Sequence, residues 1–246
     1  DNSIGDDRQR GGSAESGIGM DGPCRSIARA LFLARAGDRI ILAKTTEPYR
    51  ESLTLQGGRH SGIGTHPFRL LGNGATLDGR QPIRPAAWKS FRRDIYCFQP
   101  ARQSLGMLYV EDRPAYPRRR PCAETTPFNL AGGEGCLFGG WYYFRAEPGR
   151  MPSQYELSAP ALPVGLTLYD VRDVVIEDLV IQGFQQDGVC AADGTTRTRF
   201  VGLTTRGNGR SGIAVTGASR VDIEACLSGN NGVAQVWLEG ETTVRI

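Results

Sequence analysis

Pairs of apolar residues spaced two apart recur in a fixed order along residues 164–246. The first pair is Leu166/Leu168, repeated as Val189/Ala191, Ile213/Val215 and Val236/Leu238. A second runs Val174/Ile176, Thr198/Phe200, Val221/Ile223 and Val244/Ile246, and a third Leu179/Ile181, Leu203/Thr205 and Cys226/Ser228. Subtracting positions gives steps of 23 or 24 residues throughout (189 − 166, 213 − 189, 236 − 213). Spacing of two is the period of a strand. A repeat of about two dozen residues with three short strands predicts a solenoid of triangular coils, stacked about 4.8 Å apart as parallel strands. Leu166, Val189, Ile213 and Val236 should then form one inward column. Gly165, Gly188 and Gly212 precede the first strand of their coils, where the pattern predicts a sharp turn. Gly183, Gly207 and Asn230 mark a second corner, made of residues that tolerate left-handed backbone. A β-sandwich also has evenly spaced strands, but it gives no reason for three columns to keep register.

Upstream, Ser26 opens a helix whose stripe is Ile27, Ala30, Leu31 and Ala34, with Gly37 in the place of a terminating glycine. Strands are expected at 38–43, 49–55, 68–71 and 75–79. A helix leading into the first coil is a natural plug for the open end of a solenoid. The period fails over 80–163, so the chain divides into a cap with first coils (1–79), a β-rich insertion (80–163) and further coils (164–246) within one domain. Strands are expected there at 108–112 and 141–144. The last residues, Val244-Arg245-Ile246, end on a strand edge, from which further coils are expected in a longer parent chain.

Composition sharpens this picture. Gly at 33 and Pro at 14 of 246 residues suit a turn-rich β protein. A net charge of +3 is too weak to imply nucleic acid, and no apolar run approaches the length of a membrane span. No signal-like start is present, so residue 1 reads as a processed or engineered end. Six cysteines allow disulfides, with Cys122 and Cys136 the best pair and an all-reduced chain the alternative. Cys226 falls in the inward column, and Cys190 should face outward.

The run Gly22-Pro23-Cys24-Arg25-Ser26-Ile27-Ala28-Arg29-Ala30-Leu31, then Ala34-Arg35-Ala36-Gly37-Asp38-Arg39-Ile40, Tyr49-Arg50-Glu51 and Leu53-Thr54-Leu55, resembles the N-terminal signature of secreted right-handed parallel β-helix proteins. The later coils, Val174-Val175-Ile176 and Asp187-Gly188-Val189 among them, are similar to theirs. The resemblance covers about 1–79 and 164–246. It implies the pectate-lyase-like all-β fold, a right-handed parallel β-helix with an N-terminal capping helix, and an extracellular, cell-surface or periplasmic location. Carbohydrate is the implied ligand. Activity is not implied, because this fold hosts lyases, hydrolases, esterases and non-enzymes.

Candidate chemistry is sparse. His60 and His66 sit outside the periodic coils, and no nucleophile elbow or phosphate loop is present. A lyase would need a base and, in most of the family, calcium-binding carboxylates, which makes calcium a candidate although no site for it is evident. Asp187 and Arg210, 23 apart, should be vertical neighbours. With Asn208 and Trp237 they predict a sugar-contacting groove: Asp187 as acid/base or cation ligand, Arg210 for a carboxylate, Trp237 as a stacking platform. The competing reading is a surface ion pair at a turn, worth under about 1 kcal/mol. Asp173, Glu177, Asp178, Asp222 and Glu224 read as a solvated face. The insertion carries 12 Arg/Lys against 7 Asp/Glu, a local +5 that with exposed aromatics suits an acidic polysaccharide, whereas the same aromatics also suit a mini-core. The expectation is thus a β-helix protein that binds or processes polysaccharide; if an enzyme, it would be a lyase or glycoside hydrolase. The alternatives are a non-catalytic structural or adhesive module, or a piece whose catalytic coils lie beyond residue 246.

Overall fold

The structure, a computed structural model, describes residues 1–15, 20–100, 105, 107–115 and 125–246. After helix α1 (Ile27–Leu33) come strands β1 (Arg39–Ile41), β2 (Leu53–Gln56) and β3 (Phe68–Asp78). Residues 80–160 hold β4 (Arg80–Pro82), β5 (Lys89–Arg92), β6 (Ile95–Phe98), β7 (Tyr109–Val110), β8 (Arg113–Pro114), β9 (Gly135–Phe138), β10 (Trp141–Arg145) and β11 (Leu157–Pro160). The coils resume with β12 (Leu166–Tyr169), β13 (Arg172–Gln182), β14 (Asp187–Ala192), β15 (Thr196–Val201), β16 (Thr204–Arg206), β17 (Ser211–Thr216), β18 (Arg220–Glu224), β19 (Leu227–Gly229), β20 (Ala234–Glu239) and β21 (Thr243–Arg245).

The molecule is a parallel β-helix. One sheet stacks β2, β12, β14, β17 and β20, all parallel. In it Leu53, Leu166, Val189, Ile213 and Val236 are successive partners, so the expected column exists and begins one coil earlier, at Leu53. A larger parallel sheet runs β1-β3-β13-β15-β18-β21, with β16 and β19 continuing beside β13. Its inward column is Phe68, Val174, Thr198, Val221 and Val244. These side chains form one continuous core, joined by Ile27, Leu31 and Ala34 of the helix segment.

The three expected faces are reduced to two sheets for a local reason. Strand β13 runs unbroken through its corner, where Asp178 takes left-handed backbone (φ 48) and the register to β3 shifts between Glu177 and Leu179, pairing resuming on both sides. Strand β3 likewise joins the two strands expected at 68–71 and 75–79, bending at Asn73 and Gly74. The same corner breaks the ladder in later coils, at Gly202 (φ 62) and Ala225 (φ 50). The corner at Gly183 (φ 72), Gly207 (φ 61) and Asn230 (φ 56) is left-handed as expected.

Other expectations need correction. Gly165, Gly188 and Gly212 are not in left-handed backbone; a Cβ on Gly188 would lie 2.7 Å from the Gly212 carbonyl oxygen, and one on Gly212 2.0 Å from Ser228 Oγ. They are small because neighbouring coils touch there. The helix ends at Ala34, whose backbone is extended, and Gly37 (φ 77) instead donates its N–H to Ser61. Of 49–55 only Leu53 onward is a strand; Tyr49 makes an isolated bridge to Leu77, and Glu51 turns to the helix, where its carboxylate accepts from the N–H groups of Ile27 (2.9 Å) and Ala28 (2.8 Å).

The insertion leaves the β-helix after β3 and returns before β12. It forms two antiparallel sheets, β5-β6-β10-β9 and β4-β11-β7-β8. Phe98, Leu108, Tyr142, Phe144 and Leu157 build its own core, with Trp88 and Tyr96 packed against it. The insertion is anchored on the solenoid by a polar chain whose middle, Asp78, Arg80 and Gln182, is buried. Arg80 donates Nε to Asp78 (2.9 Å) and Nη1 to Asp112 (2.8 Å), Gln182 donates to Asp78 (2.9 Å), and Arg206 donates to Gln182 (2.8 Å). The Tyr109 hydroxyl donates to the Gly207 carbonyl, and Arg80 lies 4.8 Å over the Tyr109 ring. Cys122 falls outside the described residues, so the expected Cys122–Cys136 bridge does too.

Candidate functional site

The insertion springs from the corner that later coils form with Gly183 and Gly207, so the expected site residues lie just beyond its foot. The β-helix register places Asp187 opposite Ser211, and Cys190 opposite Ala214 and then Trp237. Arg210, one coil along from Asp187, turns its guanidinium back and grips the Asp187 carboxylate at two points, with Nε at 2.9 Å from Oδ1. The Ser211 hydroxyl donates to the same Oδ1 at 2.6 Å. On its other side the Arg210 guanidinium carbon lies 5.9 Å from the centre of the Trp237 ring. Asp187, Arg210 and Trp237 are therefore brought together.

Their roles differ from those expected. Asp187 is fully buried and both carboxylate oxygens are engaged, by a cation and a hydroxyl. It is therefore misplaced as an exposed acid/base. It is misplaced equally as a calcium ligand, since a guanidinium already fills that electrostatic role and a second cation would be repelled. Among the described residues no three Asp, Glu, His or Cys side chains converge as a ligand set. Arg210 stays 30% exposed, and its hydrogen bonds from Nε and Nη2 to Asp187 hold its charge even more firmly than usual. The grip uses Nε and Nη2, so Nη1 lies off the edge that meets Asp187. This is not the surface ion pair of the competing reading. A partner this buried makes removal of Arg210 cost about 3–5 kcal/mol rather than a few tenths.

Asn208 is not available to a ligand. It is fully buried: its Oδ1 accepts from Phe184 N–H (3.1 Å), and its Nδ2 donates to Asn231 Oδ1 (3.0 Å). Asn231 in turn donates to Gln235 Oε1 at 2.8 Å. The two asparagines form a ladder inside the corner, satisfying backbone groups that the turn leaves unpaired. The 23-residue spacing of Asn208 and Asn231 signals that ladder in the sequence as clearly as it signals a surface site.

Cys190 is half-buried beside this cluster, and burial pushes its thiol up, away from thiolate chemistry. Cys226 packs against the core as expected, its thiol also pushed up by burial. His60 is buried and structural: Nδ1 accepts from Gln56 N–H (3.0 Å), and Nε2 lies 3.0 Å from the Leu31 carbonyl oxygen, tying helix to coil. Of the charges expected on a solvated face, Glu177 pairs with Arg69, Glu224 with Arg199 and Asp222 with Arg245, while Asp173 is buried under Arg197.

No helix in the described residues is long and apolar enough to cross a membrane. Neither a family model nor a curated protein matches the sequence. A search of solved structures finds XylC, in a complex with xylose, at a TM-score of 0.55 and 13% identity, covering 94% of this chain and 56% of that one. The likeness at that identity is one of fold; the chain spans just over half the length of XylC.

Proposed function

We propose that this β-helix binds carbohydrate at the edge of its five-stranded sheet, with Trp237 as the stacking surface and Arg210 as the donor to an acidic or hydroxyl group. The carrying observation is Arg210, locked by the buried Asp187 and held beside an indole. A guanidinium fixed along one edge is pre-organised, so ordering it on binding costs little. An aromatic ring beside a charge-assisted donor is complementary to a sugar, whose C–H face is apolar and whose rim is polar. The likeness to XylC, which was solved with xylose, supports a sugar as the ligand class. Binding without cleavage is the better-supported form of this reading, because Asp187 has no free oxygen with which to move a proton. A polysaccharide ligand also implies a protein that works outside the cytoplasm.

Isothermal titration with neutral xylo-oligosaccharides and with oligogalacturonates tests the site. Trp237→Ala should weaken binding by about tenfold or more, as loss of an aromatic anchor does, without changing the melting temperature. Affinity unchanged by Trp237→Ala, or absent for every glycan tried, refutes the site. Release of reducing ends or of unsaturated products would refute the non-catalytic form.

A further inference from the structure

The aromatics of the insertion divide between two faces, and only one face is accounted for by the mini-core. Along β10, Tyr142 and Phe144 point into that core, so Trp141, Tyr143 and Arg145 point to the opposite face. Register carries the assignment across the sheet. Tyr143 is paired with Cys97 on β6 and with Cys136 on β9; Trp141 is paired with Phe138, and Lys89 on β5 with Cys97. Phe91 meets Tyr143 edge to face at 5.0 Å, and Phe128 lies 6.0 Å from Phe91. The outer face is thus a strip of Phe128, Phe91, Tyr143, Trp141 and Phe138 over a floor of buried Ile95, Cys97 and Cys136. Three of the five rings are unusually bare for their type: Phe91 at 43%, Phe138 at 48% and Phe128 at 60% exposed.

The charges around the strip are mostly basic, with Glu134 opposite Arg145 at its far edge the exception. Lys89, Arg92 and Arg93 are all exposed, and Lys89 Nζ sits 5.7 Å from the Trp141 ring centre. Asp94, the carboxylate of the β5–β6 turn, is paired with Arg145 at 2.9 Å and so does not offset them. An apolar strip with a cationic rim has two obvious occupants, a second copy of the chain or an anionic chain molecule. A second copy related by a two-fold axis would set this basic rim against itself. The strip also offers a handful of side chains, where a stable protein interface needs about 20–30 residues a side. A run of partly exposed rings beside basic side chains instead suits a glycan, whose sugar faces are apolar and whose carboxylates are anionic.

We infer that the outer face of the β5-β6-β10-β9 sheet is a second saccharide-binding surface, selective for acidic glycans such as polyuronates. Rings of Phe91, Tyr143 and Trp141 contact sugar faces, and Lys89, Arg92 and Arg93 meet the carboxylates. It shares a ligand class with the reading above but none of its residues.

Affinity electrophoresis of the full chain in gels containing polygalacturonate, or neutral xylan as control, tests it. Polygalacturonate should retard the wild type more than xylan, and the retardation should fall with added salt. Phe91→Ala and Lys89→Glu, both at exposed positions, should each lower affinity for polygalacturonate about tenfold, with circular dichroism and melting temperature unchanged. Trp237→Ala should leave this retardation largely in place. Several outcomes overturn the inference: no retardation of the wild type, equal retardation by xylan, or retardation untouched by both insertion variants. Loss on Trp237→Ala alone would overturn it while sparing the site on the β-helix; loss on the insertion variants alone is the expected result and leaves the β-helix site to the titrations. A concentration-dependent dimer in sedimentation velocity, abolished by Phe91→Ala, would identify the second copy as the occupant and also overturn it.

Discussion

His60 shows how much one residue's environment outweighs its type. No spacing in the sequence marks it, yet it is one of the ties between helix α1 and the first coil. Burial pushes its imidazole below the ordinary value of 6.5, against a smaller opposing effect of the Leu31 carbonyl. The neutral ring is the form that fits, so its contribution to stability is complete above pH 6.5, where the unfolded chain is also neutral. That contribution declines as pH falls from 6.5 towards the lower folded value, because only the unfolded chain takes up the proton there. Wild type should therefore lose melting temperature between pH 7 and pH 5 by more than His60→Gln does. Equal losses in the two proteins would mean that the ring is not held neutral. Legibility at this scale was uneven. Positions facing the core, such as Leu166, Val189 and Ile213, could be read directly, because one side of a strand must be apolar. The commitments of Asp187 and Asn208 could not, because a polar side chain at a corner reads the same whether it turns in to a ladder or out to water. In the sequence the glycines look like turn residues, whereas their reason is contact between coils, a difference visible only once Gly188 and Gly212 are placed against each other.

Among elements, the insertion is held by an arrangement that no local pattern announces. Arg80 and Asp78 are two apart in sequence and both buried, and the ion pair they make faces Tyr109 and Gln182. Burial alone would raise the Asp78 carboxyl. Hydrogen bonds from Arg80 and Gln182, with the Arg80 charge, hold it below the usual carboxylate range instead. Replacing Arg80 by Ala leaves that carboxylate buried without its cation, and should lower stability by about 3–5 kcal/mol in chemical denaturation. A loss under 1 kcal/mol would mean that water already reaches the pair. The aromatics of this segment could be counted in the sequence but not sorted. Tyr142 and Tyr143 differ in the side of β10 they occupy, and alternation assigns sides only after one of them is known to face the core.

For the whole molecule, the repeat was legible because each coil obeys the same constraint as its neighbour, so four weak signals at one period add up to a strong one. What interrupts the period was opaque for the same reason, since nothing in a coil dictates what is attached to it. Stacking also grades stability along the axis. Leu166, Val189 and Ile213 are essentially inaccessible, whereas Val236 and Val244 are only partly covered. Amide hydrogen exchange should therefore be slowest in β12, β14 and β17 and fastest in β20 and β21. Uniform protection across these five strands would show instead that the coils open only together.

The place where the insertion begins and ends bears on how such a molecule can vary. The single carbonyl of Gly79 accepts the N–H groups of both Ala161 (2.8 Å) and Leu162 (3.0 Å), so some eighty residues depart and return at one point. Because closing a long loop costs only logarithmically more than closing a short one, the spiral beneath is nearly indifferent to the size of what is hung there. That root is a socket: a segment of another length could hang from Gly79 while the spiral beneath keeps its pitch.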